Sequence, residues 1–492
     1  MPAQAMEPQK IAAIGAAGLI RPARVDDSLI PDGAVTESVN FIFDRIGAAT
    51  VRPGITALGA TVLAARPCVG LHNAQAGTAI AVFSNGGSST IYSLSGTTWS
   101  MSLDGGTASV RIRFVDFGSY TIAINLMQNT YSSMRFWNAG SSRHWHNTGS
   151  PINPQNMWGR TPQLGEVYKS RIYLAGDTSR EGNTSRLYFS SVISSTGVIT
   201  WTPTTDYVDI NPGDGEDIAA LKRFGLELLV MKPNYIYRFR TSSVDPDPLI
   251  KVGTRSQESV IEGKRGVYFH HDTGFYQYTG GYPVEISRPI VDVVEAIPYG
   301  QFDDIVAWND ADNIYWSVGN LTITENDIAA TWRNVVLRYT ESSQVWTVYS
   351  MPSDVRRGLT YNSGTALSRI VGLDNGVVAT WGSGTTDLDE PIKYRLRTRW
   401  YEWEGLSTRK VVKEIVAFAD KAQGSQLFYQ VDEDAAWKTI GDLKRQINYF
   451  VNLSIRFHRI RFQVAGTSRG EAPIFRGLEV PSGINEGLIR EP

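Results

Sequence analysis

Six histidines, at positions 72, 144, 146, 270, 271 and 458, are the first residues to weigh as acids, bases or metal ligands. His144-x-His146 would put two imidazoles on one face of a strand, half of a metal site. No carboxylate or third histidine lies close in sequence, so no metal is expected there. His270-His271-Asp272 falls at a hairpin tip, where successive residues face opposite sides. That reads as turn structure and not as a ligand set. Gly466-Thr-Ser-Arg-Gly470 matches the G-x-S-x-G nucleophile pattern, which needs a strand, a sharp turn, a helix, and then an acid and a histidine. Pro473 and another strand follow instead, and no histidine occurs after Ser468, so the pattern is rejected.

Gly263-Lys264 lacks the upstream glycine of a phosphate loop. Asp26-Asp27 and Asp303-Asp304 are adjacent acids, which point apart on a strand and cannot oppose each other across a glycosidic bond. The single cysteine, Cys68, excludes an intrachain disulfide and paired-cysteine zinc or redox motifs, and it fits a reducing compartment. No catalytic residue, cofactor or metal is expected, and no hydrolytic activity.

The strongest charged pattern is Arg395, Arg397 and Arg399, whose period of two lines one face of a strand. Tyr394, Leu396, Thr398 and Trp400 take the other face, and Arg456, Arg459 and Arg461 lie on the expected partner strands. The arginines read as a solvated face over an apolar core or, more sharply, as a basic surface toward another subunit or DNA. Residues 391–492 carry 17 Lys+Arg against 12 Asp+Glu, while the rest carries 30 against 37. The whole chain sums to −2, so no global nucleic-acid signature exists.

The elements that must hold these residues are strands. Gly and Pro number 46 and 22 among 492 residues, which implies many turns. Short β-branched and aromatic runs recur across polar turns, as in Thr78–Phe83, Leu226–Met231 and the hairpin at Lys264–Gly280. A loose unit of aromatic strand, small turn and Trp appears at Tyr92–Trp99, Leu187–Trp201, Leu337–Trp346 and Val377–Trp381. Spacings near those of four-stranded blades predict an all-β fold: a β-propeller of about six or seven blades over 61–390. Tyr92–Trp99 also resembles the second half of a sialidase Asp box, without its Ser and Asp. Residues 391–492 read as a C-terminal β-sandwich with a tail, joined through the Gly/Thr/Asp-rich 382–390, with 391–480 folding as a separate unit. Residues 1–60 read as an extended N-terminal arm with short strands, its apolar Ile11, Ile14, Leu19 and Ile20 covered by a partner. Truncation of 1–35 is then expected to spare the fold. No apolar stretch is long enough for a membrane span, so no stable membrane insertion is expected.

Three segments resemble short-tailed bacteriophage tail nozzle, hub or stabilisation proteins. One is Leu29–Asn40-Phe…Phe43-Asp-Arg45…Val51-Arg-Pro-Gly-Ile55. A second runs from Ser256 to Ile290, with Gly266-Val-Tyr-Phe, Gly274-Phe-Tyr-Gln-Tyr and Ile286-Ser-Arg-Pro-Ile290. The third runs from Phe457 to Glu479. The resemblance implies a non-enzymatic virion protein of the phage tail, assembled in the bacterial host cytoplasm. It implies a hexameric ring below the portal and adaptor, through which DNA passes non-specifically and on which tail fibre or tip proteins dock. The alternative is a propeller that binds or degrades glycans.

Overall fold

The computed structural model describes residues 4–21, 30–43, 47–59, 66–74, 77–84, 88–107, 111–125, 134–138, 145, 152, 157, 159–179, 183–193, 198–240, 243–244, 251–325, 328–364, 366–403, 405–432, 434, 436–468 and 470–488. Among these, seven antiparallel sheets follow one another along the chain: blade 1 (68–107), blade 2 (113–138), blade 3 (164–209), blade 4 (220–244), blade 5 (261–285), blade 6 (306–350) and blade 7 (355–381). Their middle strands are apolar on both faces. Thr78–Ser84 is buried from its second residue onward, and Val267–His271 is buried throughout. A sheet whose two faces are both apolar must be covered on both, and a ring of sheets provides that cover.

The seven interfaces between blades each hold their own core. Ile80 and Trp137 share the core between blades 1 and 2, Ile122 and Leu174 that between 2 and 3, and Tyr173 and Leu228 that between 3 and 4. Leu229 and Phe269, Phe275 and Trp316, and Trp308 and Val371 continue the series. Phe83 and Ile370 bring blade 1 against blade 7, so the ring is closed. The closing strand comes from the other end of the chain: Ile55–Ala57 pairs antiparallel with Val378–Trp381 as the fourth strand of blade 7. The structure is therefore an all-β propeller of seven blades with a β-sandwich attached. The Trp marker is uneven because its members play different parts. Trp99 sits half-buried on an outermost strand, while Trp316 and Trp346 are core residues between blades 5 and 6.

The sandwich differs from the expected three-part division. One of its sheets is centred on Thr408–Asp420 and Ile474–Leu488, and Gln4–Ala5, Gln9–Ala12 and Ala49–Val51 pair with the latter. The other runs Ala34–Val39, Lys393–Thr398, Ile460–Thr467, Ser425–Val431 and Lys438–Leu443. The described residues of 1–60 are thus not an arm waiting for a partner, and those of 391–492 do not form the sandwich alone. Ile11 and Ile14 are buried in the sandwich core beside Leu478, and Leu19 is buried against the core of blades 5 and 6. Ile20 is half-buried. An apolar side chain already covered by its own chain has no face left for a subunit contact. Within the Ala/Gly-rich 11–20 stretch, residues 13–17 turn between the strands Gln9–Ala12 and Gly18–Leu19, with Gly15 N–H donating to the Gly33 carbonyl at 2.7 Å. Ala34–Val39 also reaches the outer strand of blade 6 through the parallel pair Val348 and Val39, which joins sandwich and propeller in one ten-stranded sheet.

Candidate functional site

The lead-in to blade 5 crosses the propeller centre. Glu258, on the single turn Gln257–Ser259, accepts from Arg113 at 2.8 and 2.9 Å, and it lies 3.5 Å from Arg111 and 3.7 Å from Arg357. Arg111 and Arg113 lead into and begin the innermost strand of blade 2, and Arg357 is on that of blade 7. Arg113 also donates to the Gln163 carbonyl at the edge of blade 3, and Arg357 to the Val69 carbonyl of blade 1. Gln257 bonds both backbone groups of Leu221 in blade 4. Ser256 donates to the Ile305 carbonyl and Arg111 pairs with Asp304, both just ahead of blade 6. Groups on the innermost strands of four blades and on the lead-ins to the other three can meet in this way only around the axis. Burial alone would raise the Glu258 carboxyl, but Arg113, Arg357 and Arg111 together outweigh it and hold it far below the usual carboxylate range. The centre is an ionic lock, and nothing in the spacing of Arg111, Arg113, Glu258 and Arg357 along the sequence announces it.

A second junction sits where the arm, blades 6 and 7 and the sandwich meet. Arg52, 2% exposed, donates to both carboxylate oxygens of Asp387 at 2.9 and 2.6 Å and to Asn40 Oδ1 at 2.8 Å. Asn40 Oδ1 also accepts from Ser350 N–H at 3.0 Å, and its Nδ2 donates to the Lys393 carbonyl at 2.7 Å. Asn40 adopts φ +63°, which asparagine tolerates better than most residues. A Cβ on Gly54 would lie 1.8 Å from the Thr386 carbonyl oxygen, so only glycine fits. The Asn…Arg-Pro-Gly residues quoted for the tail-protein resemblance are the residues of this junction.

The arginine face of the sandwich is present but occupied. Lys393–Thr398 alternates as expected, with Tyr394, Leu396 and Thr398 buried. Arg395 and Arg397 both close on the carboxylate of Glu37, which is 2% exposed on the neighbouring strand. Arg399 pairs with Asp32. Arg397 and Arg461 stack on Trp437 at 4.9 and 5.2 Å, and Arg461 and Arg459 on Trp400 at 4.5 and 4.8 Å. Trp400 lies with the arginines and not opposite them, because the strand ends at Thr398 and its alternation ends with it. Of the three predicted contacts only Arg395 keeps substantial exposure, at 40%. This is a cross-linked sheet face and not a free basic one. Glu37 was missed because its partners are more than 350 residues away in sequence.

The remaining candidates are structural. Ser468 Oγ accepts from Ile392 N–H and donates to the Thr385 carbonyl, tying the sandwich to blade 7. His270 and His271 lie on a strand next to its turn, as expected, and face opposite sides: His270 packs on Phe275 and Phe302, His271 on Tyr276. Burial pushes His270 down to about 3 and also lowers His271. Burial pushes the Cys68 thiol up to about 11, so it stays protonated. Asp304 is spent on Arg111. His144, His146 and Asp26-Asp27 lie outside the described residues. Among the described residues no group of three or more His, Cys, Asp or Glu could hold a metal, and no helix is long and apolar enough to cross a membrane.

No known protein family matches the chain, and no curated protein matches it. Solved structures similar in fold include two of the extracellular domain of BT4673 from B. thetaiotaomicron, described in one as a one-component and in the other as a hybrid two-component system. The first has a TM-score of 0.43 at 11% identity, over 79% of this chain and 44% of that one. The second has 0.42 at 10%, over 81% and 47%. The chain thus spans less than half the length of either, and likeness at this level says nothing of activity.

Proposed function

We propose that the chain is a structural subunit of a short phage tail, a ring-forming nozzle or hub protein without an active site. The observation that carries this reading is where the resembling residues fall. Asn40, Arg52 and Gly54 form the junction of propeller and sandwich, the Ser256–Ile290 segment supplies the axial lock and blade 5, and Phe457–Glu479 supplies central sandwich strands. Residues that fix the mutual position of two rigid units suit a part whose work is mechanical.

The axial lock has a consequence for this reading. With Glu258 tied across the centre, DNA would pass between copies in a ring and not down the propeller of one copy. Copies would meet through the sandwich edge Ile447–Phe450, which pairs only with Thr408–Asp420 among the described residues and exposes Ile447, Tyr449 and the following Val451. An open strand edge with exposed apolar residues favours association. The test is the mass of the purified full chain by light scattering, with electron micrographs of the same sample and immunogold labelling of virions. A closed ring of several copies, and label on the tail, is expected. A strict monomer together with unlabelled virions would overturn the reading.

A further inference from the structure

Between blades 6 and 7 lies a cavity of about 400 Å³, within the range of small-ligand pockets. Its walls include Tyr315, Tyr349 and Trp381, with Tyr315 and Trp381 edge to face at 5.2 Å. Two guanidinium groups line it. Arg338 is 6% exposed, and its Nε has no hydrogen-bond acceptor. Arg369 Nε is likewise buried without an acceptor. Neither arginine forms an ion pair among the described residues.

The one lining carboxylate forms no ion pair with either: its charge reaches Arg338, which also bonds the Tyr315 side chain, but it leaves both Nε–H groups unmet. Asp310 Oδ1 accepts from the N–H groups of Asp312 and Asn313 at 3.0 Å each and from Asn313 Nδ2 at 2.7 Å. Its Oδ2 accepts from Tyr315 O–H at 2.7 Å. Arg52 beside Tyr349 shows the contrast, since it is buried in the same corner with every donor directed at an acceptor. Buried cations are as a rule paired, and an unmet guanidinium N–H is costly. An arginine fork selects a carboxylate, and aromatic rings select a ligand with an apolar ring face.

We propose that this cavity binds an acidic pyranose of the uronic acid class, its carboxylate on Arg338 and Arg369 and its ring against Trp381 and Tyr315. The proposal is independent of the tail reading. It is tested by calorimetric titration of the full chain with glucuronate, with glucose and acetate as controls, and with the variants Arg338→Met and Arg369→Gln. Saturable glucuronate binding is expected, with glucose and acetate each at least roughly tenfold weaker. Arg369→Gln, at a half-buried position, is expected to weaken glucuronate roughly tenfold with an unchanged melting temperature. That variant decides the matter if Arg338→Met does not fold. Absent binding, glucose or acetate binding as well as glucuronate, or an Arg369→Gln variant that binds like the parent would each overturn the proposal.

Discussion

The propeller and the sandwich solve the same problem in opposite ways. Six of the seven blades are built from one continuous stretch each, and the ring is pinned at its centre by one carboxylate shared among three arginines. The sandwich has no continuous origin. Its sheets interleave strands from residues 4–51 with strands from 393–488, and its arginines are neutralised at the periphery by Glu37 and Asp32. Local units meet one another only through side chains at their faces, and the central carboxylate adds a contact common to several of them. A unit made from both chain ends is fastened by its own topology.

The harshest test of that contrast is removal of residues 1–20. It deletes two strands paired to Ile474–Leu488 and the buried side chains of Ile11, Ile14 and Leu19, each worth about 1.5–3 kcal/mol. Hydrogen exchange read by mass spectrometry should show the sandwich losing protection while blades 2 to 4 keep theirs. Sandwich peptides that stay protected would restore the arm as a dispensable partner-seeking segment.

Glu258→Gln comes next. It keeps the shape and leaves three arginines facing a neutral amide, which should cost about 3–5 kcal/mol in urea unfolding. A loss under about 1 kcal/mol would mean that the blades hold without the lock.

Acid should act on the propeller in two stages. His270 is neutral in the fold down to about 3, against an ordinary 6.5. The unfolded chain therefore gains a proton below pH 6.5 that the folded one refuses, and stability falls by up to about 1.4 kcal/mol per pH unit. Glu258 is depressed below its ordinary 4.5, so its contribution is complete above that pH and is lost as pH falls further. Melting temperature against pH should decline from about 6.5 and steepen below about 4.5. His270→Phe should delay the onset, and an unchanged onset would remove His270 from the account.

The smallest effect belongs to Arg395→Ala. Its side chain is 40% exposed, and Arg397 still serves Glu37, so under about 1 kcal/mol is expected by thermal melting. A larger loss would make the peripheral fastening as strong as the central one.

Strand type and alternation belong to the sequence alone, because they are local: the hairpin at 267–278 and the alternation of 393–398 follow from side chains that must face in or out. So do the absence of a disulfide partner for Cys68 and the failure of Ser468 to fit a nucleophile turn. The Asn40 and Arg52-Pro-Gly residues stood out by resemblance, but not as a junction. Tertiary structure alone decided which residues share a site. Glu258 finds Arg111, Arg113 and Arg357 only when a ring closes, and Glu37 finds Arg395 and Arg397 only when the two chain ends lie side by side. The reason is that a strand's alternation is set by its own backbone, whereas a buried charge is matched by whatever the fold brings within about 4 Å of it.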